Sequence, residues 1–211
     1  MFVTFEGCEG VGKSTQLKFV EEYMNKTGQD AIFIREPGST EISEQIRSVI
    51  LDPTNTEMHD YTEALLYAAS RAQLVQQVIK PALKEGKTVI CDRFIDSSVA
   101  YQGYARHLGA QVIKDINKYA LDGLMPDLTI FIDLAPDKCF RAVKNNDRIE
   151  QEKLSFHQDV YKGYVAEMNS SNGRIVSVKP DLNRFVTRDR ILNVLRERGV
   201  IKWICQPLRM L

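Results

Sequence analysis

Short apolar runs alternate along the chain with longer stretches in which apolar residues recur every three or four positions. The runs are Phe2–Phe5, Ala31–Ile34, Thr88–Cys91, Leu128–Ile132 and Ile175–Val178. They are rich in Val, Ile and Phe and alternate only weakly, as strands buried on both faces of a parallel sheet do. The periodic stretches predict helices over Lys13–Asn25, Glu41–Ile50, His59–Lys84, Gln111–Leu121, Pro136–Lys144, Glu150–Met168 and Asn183–Glu197. Gly86 ends the long third helix, Gly28, Gly123 and Gly173 punctuate other joins, and Asp137 sits where a helix start favours negative charge. Successive βα units imply right-handed crossovers and one α/β domain: a five-stranded parallel sheet with helices on both faces. Ligands then belong beyond the carboxyl ends of the strands.

Composition narrows this further. The chain has 211 residues, 44% of them apolar, enough for one sizeable core. Lys+Arg and Asp+Glu both number 28, so no basic field points to nucleic acid and no polybasic run to a membrane. The four cysteines, Cys8, Cys91, Cys139 and Cys205, are widely spaced and read as free thiols in a reducing compartment. A strand beginning at residue 2 leaves no room for a signal peptide, and no apolar run reaches membrane-spanning length, so a cytoplasmic protein is expected. The tail from Val200 to Leu211 is apolar without a clean period; it fits either a segment packed on the body or a partner-binding extension.

The most specific chemistry follows the first strand. Gly7-Cys8-Glu9-Gly10-Val11-Gly12-Lys13-Ser14 is the G-x-x-x-x-G-K-[ST] phosphate-binding loop in its strand–loop–helix context. Its glycines let backbone N–H groups curl inward toward phosphate oxygens, and the following helix adds its positive end. Lys13 is expected at the outer phosphates and Ser14 at Mg²⁺. Glu9 is a carboxylate inside an anion cradle. It has either a task, on Mg²⁺-bound water or on an acceptor-side hydroxyl or arginine, or it faces solvent.

Further candidates lie at strand ends. Asp92 closes Thr88-Val89-Ile90-Cys91 where a carboxylate can hold Mg²⁺ through water, and Arg93 beside it offers a planar fork to a phosphate. Arg35-Glu36-Pro37-Gly38 is a sharp loop after the second strand. Tyr67 and Arg71 share one helix face. Arg71 can read a flat polar ring over the tyrosine, or it can be a buried structural arginine. Asn145-Asn146-Asp147-Arg148-Ile149-Glu150 reads as a lid carrying Arg148, helped by Arg141 or Lys144, or as a plain connection between helices.

As an ordered set these pieces resemble the thymidylate kinases. They are Phe5 to Gln16, Arg35-Glu36-Pro37-Gly38, Glu63 to Arg71, Asp92-Arg93-Phe94, Ser98 with Ala100-Tyr101-Gln102-Gly103, and Asp147-Arg148-Ile149-Glu150, spanning residues 1 to about 198. The resemblance implies a P-loop nucleotide kinase fold and transfer of a phosphoryl group from ATP, with Mg²⁺, to dTMP and more weakly to dUMP, on the way to dTTP. It assigns Gly7, Cys8, Glu9, Gly10, Val11, Gly12, Lys13, Ser14 and Thr15 to ATP, and Ser14 and Asp92 to the metal. It places Tyr67 on the thymine face and Arg71 on the base near the acceptor phosphate. Ser98 lies at the base edge, Tyr101 by the sugar, and Gln102 and Pro37 line the pocket. Glu9, Arg35 and Arg93 serve the acceptor phosphate. Lys13, Glu9, Arg93, Arg148 and Arg141 are the implied catalytic set. Gly10 and Val11 in the loop imply the bacterial arrangement, in which arginines come from a lid at about 141–150. That lid is short here, Ser39 stands where glycine is usual, and no family counterpart is assigned to the tail past Gly199. The family is usually homodimeric. A kinase for another nucleotide or a deoxynucleoside, a weakly catalytic nucleotide-binding relative and a P-loop ATPase switch are the rival readings.

Overall fold

The computed structural model describes residues 1–139 and 147–202. Five parallel strands form one sheet: β1 (Phe2–Glu6), β2 (Ala31–Arg35), β3 (Thr88–Asp92), β4 (Leu128–Ile132) and β5 (Ile175–Val178), in the order β2-β3-β1-β4-β5. Three of the strands run one residue longer than their apolar runs, and β4 and β5 match theirs. β1, β2 and β3 each take in one further polar residue, Glu6, Arg35 and Asp92. Phe5 pairs with Asp92, and Arg35 with Asp92, so these charged ends stand level along one edge of the sheet. That edge is the carboxyl edge where ligands of open α/β sheets bind.

Nine α-helices among the described residues cover both faces. α1 (Lys13–Lys26), α8 (Leu154–Ser170) and α9 (Arg184–Glu197) pack around Val3, Phe5, Ile130 and Ile132. On the other face, Phe2, Val89 and Cys91 meet α3 (Asp60–Leu74), α4 (Lys80–Lys84) and α6 (Ala110–Leu121). α2 (Glu41–Leu51) lies against α3, and α7 (Pro136–Cys139) leads away from β4. The long helix expected over His59–Lys84 is present as one path. His59 accepts from Tyr61 N–H as its cap, and a π-helical stretch, Val75–Ile79, joins α3 to α4.

Two differences from the sequence reading bear on the site. First, the chain after β3 is helical, with α5 (Ile95–Ser98) running into a π-helical stretch, Val99–Ala105. Val99, Ala100, Tyr101, Gln102, Gly103 and Ala105 are all buried, so the segment has no polar face to mark a period. Second, α8 begins at Leu154 and not at Glu150. Asp147 Oδ1 accepts the N–H groups of Ile149 and Glu150 and holds the preceding residues in a turn. The expected helix from Pro136 is described only as far as Cys139; Arg141, Lys144 and Asn146 lie outside the described residues, as does the tail from Trp203. Val200 and Ile201 are buried in the core, so the start of that tail packs on the body.

α8 reaches the sheet by crossing Val99–Ala105 at Gly163. A Cβ built there would stand 2.8 Å from Ala100 Cα and 3.0 Å from the Tyr104 ring. Alanine gains about 1 kcal/mol over glycine in a helix interior, but overpacking a backbone contact costs about 1–3 kcal/mol. The clash is with main chain, which cannot swing aside. Gly163→Ala (G163A) is therefore expected to destabilise, lowering the urea midpoint in chemical denaturation despite its better helix propensity.

Candidate active site

The phosphate loop has the backbone its sequence implies. Gly7, Gly10 and Gly12 all adopt positive φ, at 153°, 77° and 87°. A Cβ on Gly7 would sit 3.1 Å from Ile132 O, so that corner admits no side chain. α1 has no side-chain cap and no acidic residue in its first turn, which leaves its N-terminal dipole open to an anion. Lys13 Nζ lies 2.6 Å from Asp92 Oδ1, joining the loop to the end of β3. Ser14 is exposed at the start of α1. A hydroxyl and one carboxylate suit a cation that takes most of its ligands from phosphate and water. Among the described residues, no group of three or more His, Cys, Asp or Glu side chains forms a metal cage.

Arg93 is the hub of a second cluster beside the loop. It occupies the left-handed region, φ 68°, directly after β3. Its Nη2 donates to Glu9 Oε1 at 2.5 Å, and its Nη1 to Gly7 O at 3.0 Å and Tyr164 Oη at 2.9 Å. The Tyr101 hydroxyl also donates to Glu9 Oε1, at 3.0 Å. Burial pushes the Glu9 carboxyl up, but Arg93, Lys13 and the Tyr101 hydroxyl outweigh it and hold Glu9 below the usual carboxylate range. Glu9 thus turns to Arg93 and Tyr101 and not out of the loop.

Arg71 is fully buried at the far end of the same cavity. It donates from Nε and Nη2 to Glu36 Oε2, from Nη2 to Ser98 Oγ at 2.9 Å, and from Nη1 to Asn117 Oδ1. Burial raises the Glu36 carboxyl above its ordinary value even against the Arg71 charge. Arg71 is thus a structural arginine in its contacts, yet it also lines the cavity. Tyr67, half-buried one turn earlier on α3, stands beside it. Gln102 donates to Glu63 Oε1 at 2.8 Å. Pro37 follows a cis peptide, and its carbonyl accepts from Arg47 Nη1 at 2.9 Å.

Glu9, Lys13, Asp92, Arg93, Arg35, Pro37, Tyr67, Arg71, Ser98, Tyr101 and Gln102 line one cavity of about 180 Å³. Arg35 is half-exposed at its rim, forked on Glu44 at 2.8 Å. Ser39 holds this turn at φ 67°, its Oγ accepting from Arg35 N–H and donating to Arg35 O, so a side chain takes over where glycine is usual. Arg148 is placed elsewhere than the phosphate loop. Its Nη2 donates to Glu63 Oε2 at 2.5 Å and its Nε to Ile50 O at 3.0 Å. Glu63 is fully buried and also receives Arg106; burial pushes its carboxyl up, but Arg106, Gln102 and Arg148 bring it below its ordinary value.

Sequence reasoning missed Glu6, Ser97 and Tyr164. Glu6 Oε1 accepts Phe94 N–H at 2.8 Å. Its Oε2 lies 2.5 Å from Ser97 Oγ and 2.9 Å from Tyr164 Oη, which are 2.8 Å from each other. Two hydroxyls supply two protons for three oxygen–oxygen contacts, so all three are satisfied when the carboxyl carries the third. Burial, then repulsion from Asp96, raises the Glu6 pKa to about 7, against the pull of Arg93 and these hydrogen bonds. No local motif marks the trio, because Tyr164 is 158 residues from Glu6.

A carboxyl whose pKa is raised on folding contributes most below its unfolded value, and that contribution is lost as pH rises through the folded value. Relative to Glu6→Gln (E6Q), the native chain should lose on the order of 3 kcal/mol between pH 4.5 and about 7. Urea unfolding of both proteins at pH 5 and pH 8 measures it; parallel stabilities at the two pH values would place the Glu6 pKa near its ordinary value.

Comparisons with known proteins point to one family. The family model described as thymidylate kinase matches residues 5–190. A thymidylate kinase of Bacillus licheniformis is 46% identical over 202 residues, covering 93% of this chain and 95% of that one. One from Caldanaerobacter subterraneus is 45% identical over 211 residues and covers 99% of this chain and 96% of its own. That match takes in the tail past Gly199, to which the sequence reading assigned no counterpart. The crystal structure of a thymidylate kinase from Ehrlichia chaffeensis superposes with a TM-score of 0.76 at 29% identity, over 93% of this chain and 98% of that one. The chain belongs to the thymidylate kinase family.

Proposed function

We propose that this chain transfers the γ-phosphoryl group of ATP to dTMP, giving ADP and dTDP, by direct in-line displacement without a phosphoenzyme. The observation that supports it is the single cavity, which runs from Lys13 and Asp92 beside the phosphate loop to Tyr67, Arg71 and Ser98. Donor phosphates belong on the loop amides and Lys13. The acceptor is already anionic at neutral pH, so no strong general base is required; placement and charge neutralisation carry the rate. Arg93, with Arg35 at the rim, holds the acceptor phosphate. Tyr67 covers the base, and Arg71, fixed by Glu36, faces its polar edge beside Ser98 and Gln102. Tyr101, tied to Glu9, closes the sugar side.

Ser14 and Asp92 would hold Mg²⁺, which supplies neutralisation of phosphate charge when bound. Arg148 and Arg141 are assigned to the moving charge. For Arg148 this means leaving Glu63, which keeps Arg106 and Gln102 when it does. A homodimer packed through α3 and α6, which expose Leu65 and Tyr119, is the assembly proposed. Sedimentation of the purified chain as a monomer at micromolar concentration would argue against it.

Turnover measured by ADP release should be strong with dTMP and weaker with dUMP. The single methyl is worth roughly 1–3 kcal/mol, or about 10–200-fold. dGMP, UMP and thymidine should be poor acceptors. Preferred turnover of thymidine or of another monophosphate would move the function to a neighbouring kinase. Arg93→Ala (R93A) should lower turnover of dTMP by on the order of 10²-fold or more, as loss of one placed charge donor does. Near-normal rates would remove Arg93 from the acceptor phosphate.

A further inference from the structure

We propose that Glu6, Ser97 and Tyr164 form a positioning bracket that sets the Arg93 guanidinium for a bidentate hold on the acceptor phosphate. This rests on the assignment of Arg93 to that phosphate. The bracket acts at both ends of the residue. At the backbone, Glu6 Oε1 takes the N–H of Phe94, the residue after Arg93, and so pins the turn in which Arg93 holds φ 68°. A left-handed conformation costs a residue with a Cβ roughly 1–2 kcal/mol, so something must hold it. At the side chain, Arg93 Nη1 is shared among Gly7 O, Tyr164 Oη at 2.9 Å and Ser97 Oγ at 3.3 Å.

The donor count shows what this leaves. Nη1 has two hydrogens, both directed at these three acceptors, and one Nη2 hydrogen goes to Glu9. Among the described residues none accepts from Arg93 Nε. Nε–H and the Nη2–H syn to it lie side by side on one edge of a guanidinium, and with Glu9 taking the other Nη2–H that pair matches two oxygens of a phosphate. A free arginine carries about 2 kcal/mol of rotamer entropy. The bracket removes that freedom before substrate arrives, in a residue that lines the cavity. The hydroxyls of Ser97 and Tyr164 are held in turn by Glu6 Oε2. Glu6 is itself faced by Asp96 and Arg174 from behind, and Asp96 and Arg174 are paired at 2.7 Å, so the support continues into the body of the fold. Tyr164 comes from α8, so this brings a helix remote in sequence into the placement of Arg93 without contact to substrate.

The test is a double-mutant cycle. Tyr164→Phe (Y164F) and Ser97→Ala (S97A) are made singly and in the R93A background, and kcat and KM are measured for dTMP and for ATP. Each single variant should lower kcat/KM for dTMP about tenfold, as losing a hydrogen bond to a charged group does, with KM for ATP unchanged. In the R93A background the same substitutions should change kcat/KM for dTMP by less than about twofold, because the residue they act through is gone. A residue that merely supports the fold would lower activity equally in both backgrounds and would shift KM for ATP. Equal losses in both backgrounds, or single variants that behave as the native chain while R93A is impaired, would overturn the bracket and leave the assigned role of Arg93 standing. R93A that turns over dTMP normally would overturn both.

Discussion

The site depends on one charge held nearly out of water. The Arg93 side chain is only 15% exposed, and a guanidinium at that depth is tolerated only when carboxylate and carbonyl oxygens surround it. Glu9 from the phosphate loop, Gly7 O from the same loop and Tyr164 from α8 do this, and Tyr101 stacks its ring 5.1 Å from the guanidinium carbon. Three elements far apart in sequence therefore converge on a single residue at the end of β3. Burial pushes against the charge of Arg93, but Glu9 and its other neighbours leave it even more firmly protonated than usual.

A second buried arginine repeats the arrangement at the opposite end of the cavity, with Glu36, Ser98 and Asn117 in place of Glu9 and Tyr164. A third acid, Glu63, collects Arg106, Arg148 and Gln102 behind the cavity, which only Gln102 of the four lines. Each carboxylate would be costly alone in such surroundings and each arginine likewise; together they make a polar interior that has few alternative pairings. The walls of the cavity are consequently built by ion pairs, whereas the sheet behind them is built by Val, Ile and Phe.

Much of the scaffold was legible in the sequence because its signals are local. The five apolar runs became the five strands, and the phosphate loop is a contiguous motif whose glycines stand at positive φ. Reading the strands one residue short at Glu6, Arg35 and Asp92 was a consequence of judging them by hydrophobicity, since a polar residue at a strand end still completes the ladder. Val99–Ala105 was not legible as helix because burial on every side erases the period that marks one. Glu6 was passed over for a different reason. Its neighbours Ser97 and Tyr164 are assembled only by the fold, and nothing in Phe5-Glu6-Gly7 announces them. Arg148 was read as part of a lid or of a plain connection between helices. Here it pairs with Glu63 on α3, a contact across 85 residues that spacing could not reveal.

The π-helical stretch also works as a gauge of chain length. Tyr101 and Gln102 are consecutive, yet one reaches Glu9 on the phosphate loop and the other Glu63 on α3. The wider turn of a π-helix rotates successive side chains differently from an α-helix, and one residue added or removed would turn both partners away at once. Flanking residues are locked too, since Gly109 N–H bonds to Gly103 O and Arg106 N–H to Tyr101 O. Insertions and deletions between Phe94 and Ala110 should therefore be far rarer among functional variants of this chain than substitutions at the same positions.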